Sequence, residues 1–221
     1  MIRMSKGSEP KILFDNHKKW TTSLLIQLAS SKKPNASLAT KYRHKKIKEA
    51  LVQETKGKCV YCESKILHIH HGDVEHILPK SIYANQTFTW QNLTLACEIC
   101  NQNKSNNDPN LNFILNPYLH DPAMHIRFAG PWLVATTNEG ENTKVLLDLN
   151  RTPLYEKRLE RMQGIESILK KITDLSMPLP TRKIIFKDFI KNELSNASEY
   201  SAMVSSFFKN YKDVIPSDVL S

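Results

Sequence analysis

Between residues 14 and 29, Trp20, Leu24, Leu25 and Leu28 recur at helical spacing, and the polar stretch SSKKPNAS then interrupts the pattern. The pattern resumes over 38–55, with Tyr42, Ile47 and Leu51 on one side, and Gly57 stops it. From 57 to about 107 regular periodicity fails, and the chain becomes dense in Cys, His, Asn and turn-forming residues. Further on, 126–137 and 143–149 have the composition of two strands joined through NEGEN, which predicts a small β-hairpin. A helical pattern begins at Pro153 and runs through Leu154, Leu159, Met162, Ile165, Ile168 and Leu169 to about residue 175. PLP at 178–180 ends it, and further helices are predicted over 181–192 and 197–211. The expected fold class is α+β and mostly helical. Three stretches organise it: 1–56, 57–110 and 111–221.

Composition narrows the setting. The richest apolar run near the N-terminal half, 24–29, is far short of the roughly 20 residues that span a bilayer, and no apolar run follows the charges of MIRMSKGSEP. We therefore expect a cytoplasmic protein with no membrane partner. The net charge of +9 is unevenly placed. Residues 1–56 carry 13 Lys/Arg against 4 Asp/Glu, and the remainder carries 18 of each. Lys41, Arg43, Lys45, Lys46 and Lys48 concentrate the excess. A positive lobe favours a polyanion, because neutralised phosphates release counterions; composition alone equally allows a solvated helix face.

All four cysteines fall in two CxxC pairs, Cys59/Cys62 and Cys97/Cys100, separated by 34 residues. Without an export signal, disulfides are disfavoured. Thiolates are soft donors suited to zinc, and two tight CxxC loops can clamp one tetrahedral ion. Four thiolates leave no open coordination position, so the expected Zn2+ is structural. Unconnected thiols or a redox pair are the other readings of the same residues.

Between and after the pairs stand Asp73-Val-Glu75-His76-Ile-Leu-Pro79-Lys80, then Trp90-Gln-Asn92-Leu93, then Asn101-Gln-Asn-Lys104. These motifs resemble the HNH endonuclease superfamily, which implies a ββα-metal core beside the zinc knuckle, flanked by the N- and C-terminal helices. The chemistry of the residues agrees. Phosphodiester hydrolysis needs a base to activate water and positive charge near the phosphate, tasks that one histidine and one divalent ion can divide. His76 is the expected general base, and Glu75 and Asn101 the expected oxygen ligands of Mg2+ or Mn2+. Asn92 matches the family's middle Asn, which orients the histidine; an amide can do so by accepting from the imidazole N–H. Lys80 and Lys104 stand where they could meet flanking phosphates, as Lys41, Arg43, Lys45 and Lys46 could on the basic lobe; for Lys80 and Lys104 an exposed structural lysine is the other reading. Neighbours on a regular strand face opposite ways, so Glu75 and His76 can share a phosphate only if the pleat is distorted near Pro79. Asp73 could be a further ligand or a solvated or capping residue. His68, His70 and His71 fit an alternating surface strand or a metal contact, and His120, His125, His17 and His44 carry no pattern that assigns them chemistry.

KGKCVYCESKI, GDVEHILPKS, WQNLTLACEICNQNK, NPYLHDP and LDLNR together resemble a narrower family, the HNH subunit, PtuB, of Septu-type antiphage defence, also found beside retrons. That resemblance implies a hetero-oligomer with a PtuA-like ATPase, a retron reverse transcriptase in some systems, and activity restrained until infection. The nucleic-acid substrate is expected to be DNA, although water-driven attack on phosphate does not exclude RNA, including a transfer RNA. The readings from other classes are a zinc-knuckle module that binds nucleic acid without cutting it and a stand-alone HNH nuclease.

Overall fold

The computed structural model describes residues 1–30, 34–68 and 71–220. His70 lies outside them.

Two N-terminal helices form where the apolar spacing places them, with one difference. Helix α1 (His17–Ala29) buries Trp20 and Leu24, and Trp20 meets Phe88 edge-on at 5.6 Å. The second stretch is not one continuous helix. A helical turn at Ala36–Ala39 and a 3-10 turn at Lys41–Arg43 precede helix α2 (Lys45–Thr55). The break has a local cause: the His44 backbone is extended, and its Nδ1 accepts from the Lys46 N–H at 3.2 Å, capping α2. Ile47, Leu51 and Thr55, one turn apart, are the buried face of α2. Lys56 and Gly57, both at positive φ, end it and turn the chain into the first cysteine loop.

Strand β1 (Asp73–His76) pairs antiparallel with β2 (Leu93–Ala96), with Asp73 opposite Ala96 and His76 opposite Leu93. The expected distortion of β1 is not found, for the register is regular through His76, and Ile77 N–H continues it by donating to Asn92 O at 2.9 Å. Helix α2 packs against β2, and helix α3 (Glu98–Lys104) against β1. Among the described residues the sheet has two strands, so one edge of β1 has no strand partner there.

The hairpin lies inside one of its two predicted segments. Strands β3 (Ile126–Ala129) and β4 (Trp132–Ala135) pair around Gly130, whose φ of +61° makes the turn. NEGEN, read as a turn, instead opens helix α4 (Asn138–Leu146). Thr137 caps it by accepting from Gly140 N–H, Glu139 and Glu141 sit in its first turn, and Gly140 packs so closely on the His125 carbonyl that a Cβ would lie 2.1 Å away.

Helix α5 (Thr152–Thr173) starts with Pro153 in its first turn and is followed by α6 (Leu179–Asn192) and α7 (Ser201–Tyr211). Helices α5 and α6 pack together, and α7 covers β3. One cluster of buried apolar residues runs through all three stretches of the chain, from Leu13 and Leu51 through Leu93 and Leu95 to Leu169 and Val204. A buried polar link ties the C-terminal helices to the first cysteine loop. The Glu63 carboxylate accepts from Ser201 Oγ at 2.6 Å and pairs with Lys58 Nζ at 3.3 Å.

Candidate active site and metal centre

The four cysteines converge. They are unpaired as disulfides, their sulfurs all lie within 4.8 Å of one another, and Cys62 Sγ and Cys97 Sγ are 3.8 Å apart. Bonds of about 2.3 Å at a tetrahedral ion put neighbouring sulfurs at about that separation, so the residues fit zinc. Each loop is shaped by its own backbone. In the first, Cys59 N–H donates to Ser64 O at 2.9 Å, and Val60 N–H donates to Leu95 O at 3.0 Å, which ties the loop to β2. In the second, Cys97 Sγ caps α3 by accepting from Cys100 N–H. The Arg151 guanidinium lies 3.9 Å from Cys100 Sγ and Ser64 Oγ 3.3 Å from Cys62 Sγ. Burial works to lower the Arg151 pKa, but negative charge on the Cys100, Cys62 and Cys97 sulfurs outweighs it and raises it. A cation beside a set of thiolates is the electrostatic complement such a site needs.

The hydrolytic candidates are arranged differently. A cavity of about 210 Å³ is bordered by Gly72, Asp73, Val74, Glu75 and His76 in succession, together with Tyr42, Arg43, Lys48, Lys80 and Asn101. Gly72 and all four residues of β1 can border one cavity only along an edge, so it follows the open edge of β1. That placement resolves the opposed faces of Glu75 and His76: side chains from both faces reach an edge without a bent pleat.

His76 is 5 % exposed, and its ring stands edge-on to Tyr42 at 4.5 Å. Its Nε2 lies 3.0 Å from the Thr87 carbonyl oxygen. A carbonyl has no proton to give, so Nε2 carries the hydrogen and Nδ1 keeps the lone pair. Burial lowers the imidazole pKa to about 4, despite the opposing Thr87 bond, with Lys80, Lys104 and Arg43 adding to the depression. The ring is neutral at ordinary pH.

Asn92 does not bond to this ring. Its Oδ1 accepts from Leu78 N–H at 2.7 Å, and its Nδ2 donates to Leu78 O and Gln86 O at 3.1 and 3.2 Å. The amide closes the 78–92 loop on itself, and Gln86 is the neighbour of the Thr87 whose carbonyl holds the imidazole. The bond that the sequence placed on Asn92 is thus made by a backbone group, and Asn92 acts one step behind it.

Glu75 is buried, which raises its pKa, and Lys104 Nζ opposes that rise from 3.0 Å. Lys104 is 0 % exposed and also donates to His76 O at 2.9 Å, so it cannot meet a flanking phosphate. Helix α3 packs on β1 and carries that lysine inward. Asn101 Nδ2 donates to Asp73 Oδ2 at 2.9 Å, and Asn101 Oδ1 accepts no hydrogen bond from a described residue. A buried carboxylate, a neutral amide oxygen and a second carboxylate around one edge cavity fit a hydrated divalent ion, which keeps several waters.

Among the other expected contacts, Lys80 Nζ donates to Tyr42 Oη at 2.9 Å and borders the cavity, as Arg43 does. Lys41 lies over the Trp20 ring at 5.0 Å, and Lys45 and Lys46 are exposed on α2. His44 is a helix cap, His120 Nδ1 accepts from Asn116 N–H, and His125 bonds to Thr137 Oγ1. His68 and His71 are exposed and lie outside β1. Sequence reasoning missed Tyr42, Thr87 and Arg151. Arg151 had a signal, the LDLNR motif; a backbone carbonyl has none.

Residues 59–107 match the HNH endonuclease family model. The match starts at the first cysteine and ends just past α3, so it encloses the four-cysteine cluster and the β1, Lys80 and Asn101 part of the edge cavity, while Tyr42, Arg43 and Lys48 precede it. The chain carries an HNH nuclease domain. It is also 28 % identical, over 97 % of its own length and 84 % of the relative's, to a Septu protein PtuB of Bacillus thuringiensis. A second Septu protein PtuB, from Bacillus mycoides (strain KBAB4), is 27 % identical over 85 % of this chain and 75 % of that one. Among the described residues no helix is long and apolar enough to cross a membrane.

Proposed function

We propose that this chain is a metal-dependent endonuclease that hydrolyses phosphodiester bonds, with DNA as first substrate, and that it is the nuclease subunit of a Septu-type antiphage assembly. The observation that carries the reading is the imidazole of His76, buried, neutral and locked in one tautomer beside Glu75 and Asn101 in the HNH domain. In this reading Nδ1 of His76 takes the proton from the attacking water. Glu75 and Asn101 hold Mg2+ or Mn2+, with Asp73 next to them. When bound, the ion supplies positive charge at the phosphate and stabilises the departing oxygen. Arg43 and Lys80 at the rim bind the phosphodiester, and Lys41, Lys45 and Lys46 extend the positive surface along the N-terminal region. Zn2+ in the four-cysteine site fastens the loops and takes no part in hydrolysis.

The similarity to PtuB supports an ATPase partner of the PtuA kind and, in retron-associated systems, a reverse transcriptase as a further component. A binding module without catalysis draws on a different observation, the Glu75 carboxylate already paired with Lys104. One experiment separates the two. Full-length chain, alone and with its ATPase subunit, is given DNA or RNA with and without Mg2+ or Mn2+, beside the His76→Ala variant. Ion-dependent cutting lost in His76→Ala is expected; binding that needs neither the ion nor His76, with no cutting by the assembled complex, would establish the module instead.

A further inference from the structure

We propose that a second cavity, behind the loop that follows His76, is a nucleobase subsite that seats one base of the strand being cut; this rests on the nuclease reading above. The cavity is about 610 Å³, within the range of small-ligand sites. Ile77 and Leu78 form part of its wall. Consecutive Cα atoms are about 3.8 Å apart, so that wall begins within about 8 Å of the catalytic base along the chain. Asn92, which fixes Leu78 by both of its amide atoms, borders it as well.

The lining selects the ligand class. Among the described residues it contains no carboxylate, whereas Arg3, Lys6 and His120 all border it. A divalent cation therefore has no anionic ligand here, and an anionic strand meets no repulsion. Lys6 is committed to Glu54 and to the Leu93 carbonyl, so it is part of the wall. Gln86 and Gln91 are not committed: neither side-chain amide bonds to a described residue. Each amide offers one donor and one acceptor side by side, the pattern that pairs with the edge of a purine. His120 Nδ1 accepts from Asn116 N–H at 3.1 Å, which leaves Nε2–H as a donor at the rim. Met4, Leu119 and the Tyr118 ring supply apolar surface for the flat faces of a base. Paired amides, apolar walls and an acid-free lining describe a base in an anionic chain better than a free anion, for which Lys6 is already taken by Glu54, or an apolar ligand, which would leave the amides unsatisfied.

The test uses the double variant Gln86→Ala/Gln91→Ala, which removes two amides that bond to no described residue and keeps the backbone carbonyl of Gln86 that Asn92 requires. Thermal melting confirms that it folds. Binding is read in the full-length chain carrying His76→Ala, with short single-stranded DNA and RNA oligonucleotides bearing 2-aminopurine at each position in turn. One position should change fluorescence on binding, and the double variant should weaken that binding about tenfold. In chain with His76 intact, cutting of a randomised substrate should show a base preference at one position beside the cut, flattened in the double variant. Equal affinity and an unchanged base preference in the double variant would overturn the subsite. The fluorescence arm does not depend on cutting, so glutamine-dependent binding with no hydrolysis by the complex assembled with the ATPase subunit would sink the nuclease reading alone, and cutting with no glutamine dependence would sink the subsite alone.

Discussion

The HNH domain holds two metal-type sites built on opposite principles. The knuckle is enclosed: four sulfurs converge on one point, and Arg151 from the region before α5 and Tyr200 just before α7, through Ser64, close around them. The cavity proposed for hydrolysis follows the edge of β1, and the oxygens proposed to hold its ion do not close a cage. Among the described residues the cysteines are the one set of His, Cys, Asp or Glu in which three or more ligand atoms lie within 4.8 Å of each other. A closed donor set gives stability and no reactivity, because every position on the ion is taken. An edge lined by two or three oxygens leaves room for water and phosphate, and the rigidity it lacks is supplied by the neighbouring knuckle and by the 78–92 loop.

The sharpest way to break this contrast is to remove zinc. Structural zinc contributes about 10–16 kcal/mol in small domains, as much as a whole domain's net stability. Chelation, or Cys100→Ser, should abolish the cooperative melt, followed by circular dichroism, together with zinc content; a chain that melts normally without zinc would make the knuckle dispensable. His76→Ala should do the reverse, keeping zinc and a cooperative melt while hydrolysis falls about 10²–10⁴-fold.

The third test is pH. The His76 pKa falls from 6.5 to about 4 on folding, so in this range the unfolded chain takes up a proton that the folded one refuses. The stability this gives is complete above about 6.5 and drains by about 3 kcal/mol as pH falls to 4. Without added magnesium or manganese, denaturant titrations of the parent should lose that much more across the window than His76→Phe does. Glu75, whose pKa burial raises, works in the opposite direction but is common to both proteins.

Smaller effects sharpen the picture further. Asn92→Ala removes three hydrogen bonds and strands buried backbone groups at a cost of about 1–3 kcal/mol. It should also slow hydrolysis less than His76→Ala; if it slowed it equally, the amide would act directly on the ring or the substrate. Lys46→Ala, on the exposed side of α2, should leave the melting temperature within a degree or two and lower the salt slope of nucleic-acid binding by about one.

Legibility in the sequence followed the kind of group involved. The CxxC spacing announced the four-cysteine cluster, because four identical soft ligands in two tight pairs have few other uses. Glu75, His76 and Asn101 were legible as a set, and they do border one cavity. Lys104 was misplaced, because its motif gives its position on α3 and says nothing of how α3 rolls against β1. The hairpin was misplaced because one strand-like run, 126–137, was long enough to fold back on itself at Gly130, and because a Thr cap and two acidic residues turned NEGEN into a helix start.

By itself the sequence determined which ligands exist, how they are spaced and which faces of the long helices are apolar, since side-chain chemistry and periodicity are properties of the chain. Tertiary structure decided what His76 touches. The Thr87 carbonyl is a backbone group that any residue could supply, and the closeness of Tyr42 to His76 and of Arg151 to Cys100 arises from segments tens of residues apart brought together by burial. The tautomer of His76, and with it the atom proposed to take the proton, is therefore set by packing and was not written in any motif.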